Sequence, residues 1–406
     1  MALGSDFRRL WAAYAISESG TGLAYGALPL VAVLVLKVPS FEVSLLAAAG
    51  GLAAAALALP AGPWIEFRRK RPVMIGADLA RAAAIASVPL AALAGVLSYP
   101  QLCVVAVVQA AGVIVFGAAS GSHLKALVGP ADRAAANGRF EATFWTAYSA
   151  GPALGGALTS ALGVWWTLGA DALSFVLSAV GVRSLRAPEP PVQRVTTRPE
   201  ISAGWRYIAK HQTMRALFVN SQVFGAGVLA IAPLLNVLML RDLRFPPWQY
   251  GLAYGLPCLG GILGALCTKP LNARLGDRRV LLISGAARAI WYPLLAFVPG
   301  GTGGLLVIIA VEFLALFGSG VFNPAFATYR MAATEEGFLA QVIACWAISS
   351  RTVQPVGMLF GGALAALIGI RPAIGICGLV VLASGALLPW RRIGDRPPAP
   401  VSADRA

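Results

Sequence analysis

Long apolar runs separated by short polar connections cover almost the whole chain. They read Trp11–Leu36, Val43–Trp64, Pro72–Leu97, Leu102–His123, Phe140–Leu162 and Trp165–Val182. After a polar stretch come Ala216–Leu240, Tyr250–Pro270, Val280–Val298, Leu305–Ala327, Val342–Ile368 and Pro372–Trp390. A helix needs about 20 apolar residues to cross a bilayer core, and in lipid it is tolerated because it bonds its own backbone groups. The pattern predicts twelve spanning helices. Interruptions by Gly and Pro fit this reading, since neighbouring helices and side chains re-satisfy the backbone groups they free.

Composition narrows the class further. Only 12% of residues are charged and mean hydropathy is +0.74, against about a quarter charged in soluble domains. The net charge of +15 suggests a nucleic-acid partner until its distribution is followed. Basic residues gather at both ends and in the even-numbered connections, including Arg68, Arg69, Lys70 and Arg71 and, later, Arg274, Arg278 and Arg279. The opposite side has only Lys37, Arg241, Arg244 and Arg371. That is the positive-inside asymmetry. It predicts a multi-pass protein of the inner or plasma membrane with both termini cytoplasmic, anionic-lipid contact and no nucleic-acid partner.

Other chemistries find little support. The first apolar run is too long for a cleavable signal and lacks a small-residue cleavage site. Cys103, Cys258, Cys267, Cys345 and Cys377 lie in apolar runs without metal-ligand spacing and read as small packing residues. His123 and His211 sit near predicted helix ends, with no Ser/His/Asp arrangement around them. No Lys follows a Gly, so there is no Walker loop, and no nucleotide, metal or other cofactor is expected.

The chain repeats itself. Residues 1–186 form a first six-helix unit, 187–213 a cytoplasmic connection beginning near Pro188-Glu189-Pro190-Pro191, 214–392 a second six-helix unit and 393–406 a cytoplasmic tail. WIEFRRKRPVMIGADLAR joins helices two and three, and ARLGDRRVLLISGAAR joins helices eight and nine. Each has an acid (Glu66, Asp277), a basic cluster and an apolar run holding an Arg (Arg81, Arg288). Helix five has SAGPALGGAL where helix eleven has TVQPVGMLFGGAL. Helices four and ten carry Gln109 and Glu312 at comparable depth. Two parallel six-helix halves around a central path are one architecture of secondary transporters.

On these residues the chain resembles the major facilitator superfamily along nearly its whole length. Within it, the likeness is to bacterial drug and siderophore exporters, the macrolide-efflux and enterobactin-exporter-like subgroup. Gly62-Pro63-Trp64-Ile65-Glu66-Phe67-Arg68-Arg69-Lys70-Arg71 stands where the family has its loop-two motif, with Glu66 for the usual Asp and Phe67 for the usual Arg. Gly151, Pro152, Gly155 and Gly156 resemble the helix-five motif associated with antiport exporters. Glu200 to Ile208 resembles the amphipathic segment leading into helix seven, and Gly320 to Phe326 the ending of helix ten. The resemblance implies an all-α polytopic membrane protein, with twelve transmembrane helices in two pseudo-symmetric six-helix bundles.

Ionisable groups inside the spans are the leading candidates, because each costs roughly 2.5–3.5 kcal/mol on insertion scales. Glu18 shares a helix face with Tyr14, Thr21 and Tyr25 by three- and four-residue steps, and a carboxylate there can carry a proton. It could instead grip a cationic substrate, and the bland reading is a hydrogen bond that pins a neighbouring helix. Glu312 shares a face with Ser319 and Asn323. Arg351 needs a partner: Glu312 or Glu18 in a structural ion pair, or an anionic substrate. Asp78 and Arg81, three apart, are expected to satisfy each other or the loop motif, and Asp171 and Glu141 to pack. Gln109 and Asn220 are further cavity-lining candidates. Trp145, Tyr148, Phe224, Trp291 and Trp346 could line a pocket or simply pack. Glu66, Arg69, Lys70, Arg71, Asp277 and Arg278 could form a two-state cytoplasmic gate, or serve as membrane anchors. The glycines of helix five allow close helix approach, and Pro152 bends that helix.

The expected function is secondary transport: proton-coupled efflux of a hydrophobic or amphipathic small molecule by alternating access, in a monomer. An importer of a small metabolite with the same fold and a non-transporting sensor or scaffold are the alternatives. An enzyme is not expected, for want of a catalytic cluster.

Overall fold

The computed structural model describes residues 4–66, 68–129, 132–187, 201–335 and 338–390; side chains at 58–63, 66, 134, 201–203 and 340 fall outside the description. Twelve long helical stretches are present among the described residues, in the predicted order, and no strand. We number them α1 (Ser5–Val35), α2 (Ser40–Glu66), α3 (Lys70–Leu93), α4 (Tyr99–Leu127), α5 (Arg133–Leu162) and α6 (Val164–Arg183). The second half has α7 (Gln212–Asp242), α8 (Pro247–Leu275), α9 (Asp277–Phe297), α10 (Gly301–Ala333), α11 (Leu339–Ile368) and α12 (Ile370–Leu387). Eleven are apolar and long enough to cross a membrane; the exception is α5. Its Arg133, Arg139 and Glu141 and its Thr and Ser residues dilute its hydropathy. The amphipathic helix Ile201–Lys210 precedes α7.

The two halves repeat each other in backbone detail. Both α1 and α7 end in a π-helical turn, Val31–Val35 and Leu238–Asp242. Each turn is followed by a residue in the left-handed region, Lys37 (φ 54) and Arg244 (φ 52). The closing bonds match as well: Val38 N–H donates to Ala32 C=O at 3.1 Å and Phe245 N–H to Met239 C=O at 2.8 Å. The stretches involved, Leu36-Lys37-Val38-Pro39 and Leu243-Arg244-Phe245-Pro246, place a proline where the helix must stop.

Within the first half, α1 packs on α5 and α6, and α3 on α4 and α6; within the second, α7 packs on α11 and α12, and α8 on α10. The halves meet along α2–α11 and α5–α8, with α2–α7 between. Both seams rest on small residues that let backbones approach. A Cβ on Gly51 would meet Pro355 at 2.8 Å, and one on Gly156 would meet the Pro247 carbonyl at 2.4 Å.

The first and last described helices begin and end on one face, here the terminal face. Asp6 near the start accepts the backbone N–H of Arg186 at 3.0 Å, and Arg278 donates to the Trp390 carbonyl at 3.1 Å. On the opposite, far face one apolar cluster runs through both halves, with Val31 and Val33 packed alongside Leu234, Leu238 and Met239. Toward the terminal face the core splits. One cluster is built on Met214, Leu217 and Phe322 of the second half, and separate ones on Leu10, Met74 and Phe116 and on Phe7 and Leu124 of the first. Polar ties follow the same division: Arg241 of α7 donates to the Val38 carbonyl, and Trp248 N–H to Ser160 Oγ at 3.0 Å. The molecule is closed at its far face and parted at its terminal face.

Candidate functional site

Arg81 of α3 is the centre of a buried polar group in the first half. Its Nε–H donates to Gln109 Oε1 of α4 at 2.9 Å and its guanidinium to Thr21 Oγ1 of α1 at 3.2 Å. Gln109 returns a bond to the Arg81 carbonyl at 3.1 Å. The guanidinium lies over the Phe175 ring of α6, 3.9 Å from its centroid, a favourable cation–π position. Its stem crosses Gly112, where a Cβ would meet it at 2.5 Å. Asp171, Asp78 and Glu18 lie within electrostatic range of Arg81. Asp78 and Asp171 are 0% and 3% exposed. Neither Asp78 oxygen has a hydrogen-bond partner, nor has Asp171 Oδ1. Glu18 is half-buried and makes no hydrogen bond to a described residue.

This corrects the expected Asp78–Arg81 pair. The two share a helix, but Arg81 turns across to Thr21 and Gln109 while Asp78 lies beside Ser178 of α6. Asp171, expected only to pack, belongs to the same group. Glu141 is exposed.

The equivalent arginine of the second half has different surroundings. Arg288 of α9 is 4% exposed and sandwiched between Phe224 and Phe322, 3.9 and 3.7 Å from their centroids. It donates to Asn220 Oδ1 at 3.0 Å, and Asn220 Nδ2 donates to the Ser384 carbonyl at 2.7 Å. Asn220 was expected to line the cavity; it is wholly buried, because it serves Arg288. Phe224 acts as one face of the same sandwich. Trp346 is buried among Phe218 and Phe326 and donates to Ser221.

Between the halves lies a group of tyrosines. α1 breaks at Ala24–Gly26, with Gly26 at φ 80 and its Cα face against the Tyr250 ring, where a Cβ would meet the ring at 2.5 Å. The break turns Tyr25 toward Tyr148 of α5 (centroids 5.7 Å apart) and Tyr254 of α8 (5.3 Å), edge-on to both. Tyr250 and Tyr254 hydroxyls both donate to Asn236 Oδ1, at 3.0 and 2.5 Å. Glu312 of α10 is half-buried and lies in electrostatic range of Tyr148, Tyr254 and Tyr292. Tyr250, Tyr254 and Asn236 went unnoticed in the sequence. Their signal was a pair of tyrosines four apart that stack along one face of a helix.

The remaining candidates are dispersed. Tyr14 stacks on Phe140 at 4.6 Å. Ser319 is half-buried and Asn323 exposed. Arg351 is exposed one turn below Pro355, the residue that packs on Gly51 of α2. The expected partnership of Arg351 with Glu18 or Glu312 is not present among the described residues, where Arg351 is exposed. Gly151 and Gly155 abut α1, with Cβ positions 2.5 Å from the Gly22 carbonyl carbon and 1.8 Å from the Leu23 oxygen, while Gly156 and Pro152 abut α8. In the loop motif, Lys70 donates to the Ile65 and Arg68 carbonyls at 2.9 and 2.7 Å, and Arg71 to that of Ala187. These bonds, like that of Arg278, stay within one half. Arg69 caps α3 and Asp277 opens α9; the side chains at Gly62 and Glu66 lie outside the described residues.

Two halves of six helices, related by internal repetition and parted on one side around buried ionisable groups, define a transporter fold. A profile of the Major Facilitator Superfamily matches residues 10–268 and 217–406, and the chain belongs to that family. It is 24% identical over 379 residues to the multidrug efflux pump Tap of Mycolicibacterium fortuitum, covering 91% of each chain. It is 25% identical over 264 residues to the enterobactin exporter EntS of Escherichia coli O1:K1 / APEC, covering 62% of this chain and 61% of that protein. A bacterial homologue of the iron transporter ferroportin in its inward-facing state superposes with TM-score 0.78 at 17% identity, over 96% of this chain and 98% of that one. Its outward-facing state gives 0.59, over 95% and 98%.

Proposed function

We propose that this chain is a monomeric, proton-coupled exporter of an amphipathic small molecule. It works by alternating access, with its terminal face in the cytoplasm and the proton gradient as its only coupling factor. The basic residues concentrated on that face support the orientation, which makes the present arrangement the inward-open one. The export direction rests on the efflux relatives.

The observation that carries the coupling is the state of Glu18. Of the three carboxylates around Arg81, Asp78 and Asp171 are buried, while Glu18 keeps solvent access and has no hydrogen bond. A carboxyl placed so can exchange a proton with the cavity, and its charge changes the balance around Arg81, which ties α1, α3 and α4 together. Intramembrane carboxylates that line a cavity are typical elements of proton relays. Protonation thereby acts on the helices that must move when the halves rock.

The test is flux in proteoliposomes under an imposed pH gradient, with a panel of fluorescent amphiphiles. Efflux is expected to follow the gradient and to lose its pH dependence in Glu18→Gln. Flux indifferent to the gradient would refute proton coupling. Full gradient-driven flux in Glu18→Gln would refute Glu18 as carrier, and Glu312→Gln in the same assay then shows whether Glu312 takes over.

A further inference from the structure

The internal repeat has one place where the halves do not match. Gly155 of α5 abuts the Leu23 carbonyl of α1, and Gly361 of α11 abuts the Ala230 carbonyl of α7, which sets α5 and α11 in one register. On that register Thr143 corresponds to Ser349, and each accepts an indole N–H. Thr143 takes it from Trp11 at 3.0 Å and Ser349 from Trp205 at 3.2 Å. Trp11 belongs to α1 itself, whereas Trp205 belongs to the amphipathic helix Ile201–Lys210, which packs on α11. One turn earlier Arg139 corresponds to Cys345. Cys345 is buried under that helix, so closely that a Cβ on Gly204 would meet its sulfur at 2.6 Å. Arg139 is exposed.

Where the second half has a helix, the first half has a groove of 460 Å³ between α1 and α5, with Trp11, Ser19 and Leu23 on one wall, Ala150 and Leu154 on the other, and Arg139 at its terminal end. The opposite face of α5 meets the second half, with Pro152 and Gly156 against α8. The groove therefore opens sideways, away from the seam, onto the surface that a bilayer covers. From Arg139 to Leu154 it follows α5 for about 22 Å at the helical rise, and one leaflet with its headgroups is about 20–22 Å deep. Its terminal end is positive. The Arg139 guanidinium lies 5.8 and 5.9 Å from the Phe7 and Trp11 ring centroids, beside the start of α1. There Arg8, also exposed, shares the helix face of Ala12 and Ser19. Among the described residues neither arginine has an acidic partner. Asp6, the acid at the start of α1, is held by Arg9 and by the Arg186 backbone N–H, both at 3.0 Å.

We propose that this groove binds one phospholipid of net negative charge from the leaflet at the terminal face. Its phosphate sits at Arg8 and Arg139, and one acyl chain lies along α5 as far as Leu154. The lipid takes the place that Ile201–Lys210 takes in the second half and braces α1 against α5 as that helix braces α7 and α11. Basic residues on the terminal face attract anionic lipid in general; the groove adds a seat for a single molecule. Arginine and tryptophan are the side chains suited to headgroup depth. A zwitterionic lipid would bring a cation of its own against two guanidiniums, and a soluble anion would leave the apolar walls unfilled. The inference depends neither on the direction of transport nor on proton coupling.

The experiment is native mass spectrometry of the full chain in detergent, titrated with dioleoyl-phosphatidylglycerol or dioleoyl-phosphatidylcholine. The two lipids share their tails and differ in net charge. The first phosphatidylglycerol is expected to bind at least about tenfold more tightly than the first phosphatidylcholine. Arg139→Gln and Arg8→Gln should each weaken phosphatidylglycerol about fivefold, while Arg279→Gln, an exposed arginine on the other half, should stay within about twofold of the parent. Ala150→Phe fills the groove at an exposed position and keeps both arginines; it should weaken binding several-fold. Equal affinity for the two lipids, or an Arg139→Gln effect no larger than that of Arg279→Gln, would overturn the proposal in favour of diffuse surface charge. Unchanged binding in Ala150→Phe would overturn the seat for the acyl chain. A phosphatidylglycerol carrying a diazirine on its chain supplies the location without any variant: crosslinks should fall on residues 142–154, and crosslinks elsewhere alone would overturn the site.

Discussion

Gly156→Ala is expected to shift the molecule toward the state open at its far face. Gly156 of α5 faces α8 of the other half: an added Cβ would lie 2.4 Å from the Pro247 oxygen and 3.0 Å from the Gly251 Cα. Carbon–oxygen contacts relax to about 3.3 Å, so the two helices would have to part by roughly 1 Å. Overpacking of this kind costs about 1–3 kcal/mol. On the proposed alternating-access cycle this contact belongs to the state closed at the far face, and the cost is expected to fall on that state. That corresponds to about 5- to 150-fold in the ratio of the two states.

Gly155 provides the control. Its Cβ would lie 1.8 Å from the Leu23 oxygen, a contact within the first half that persists in both states. Gly155→Ala should lower thermal stability and leave the ratio of states alone. The assay is a distance distribution between spin labels at positions 96 and 297, exposed sites at the far ends of the two halves, in a background with the five cysteines replaced. Gly156→Ala should add a longer-distance population. A well-folded Gly156→Ala protein with the parent distribution, or the same shift in Gly155→Ala, would refute the reasoning.

Two further outcomes follow from the polar groups. Arg81→Met leaves three carboxyls without their cation and should cost about 3–5 kcal/mol; Arg288→Met strands only the Asn220 oxygen and should cost about 1–3 kcal/mol. Thermal melts in detergent should rank the first variant well below the second, and equal melting temperatures would contradict the difference in surroundings. Arg241→Gln removes the donor to the Val38 carbonyl across the far face. With an exposed arginine the effect should be small, about two- to fivefold in the ratio of states, read with the same labels.

Span order and internal repetition were legible in the sequence because both depend on long stretches whose average hydropathy and motif order survive local detail. Side-chain partnership was not. Asp78 and Arg81 are neighbours along α3, and helical spacing alone pairs them; α1 and α4 offered Arg81 a hydroxyl and an amide with better geometry. Asn220 illustrates the same limit. A polar residue in an apolar run reads equally well as cavity lining or as service to a buried charge, and only the position of Arg288 on a helix 68 residues later decides. The tyrosine group depended on a break in α1 at Ala24–Gly26, which no periodicity announces.

The repeat itself explains why the two halves divide the chemistry. Arg81 and Arg288 occupy matching places after matching loops, and each meets a glycine of the next helix, Arg81 with its stem at Gly112 and Arg288 with its backbone at Gly318. A buried guanidinium must be neutralised or offered polarisable surroundings. The first half surrounds its arginine with three ionisable groups, Asp171, Asp78 and Glu18. The second half surrounds its arginine with Phe224, Phe322 and Asn220, none of which is ionisable in the physiological range.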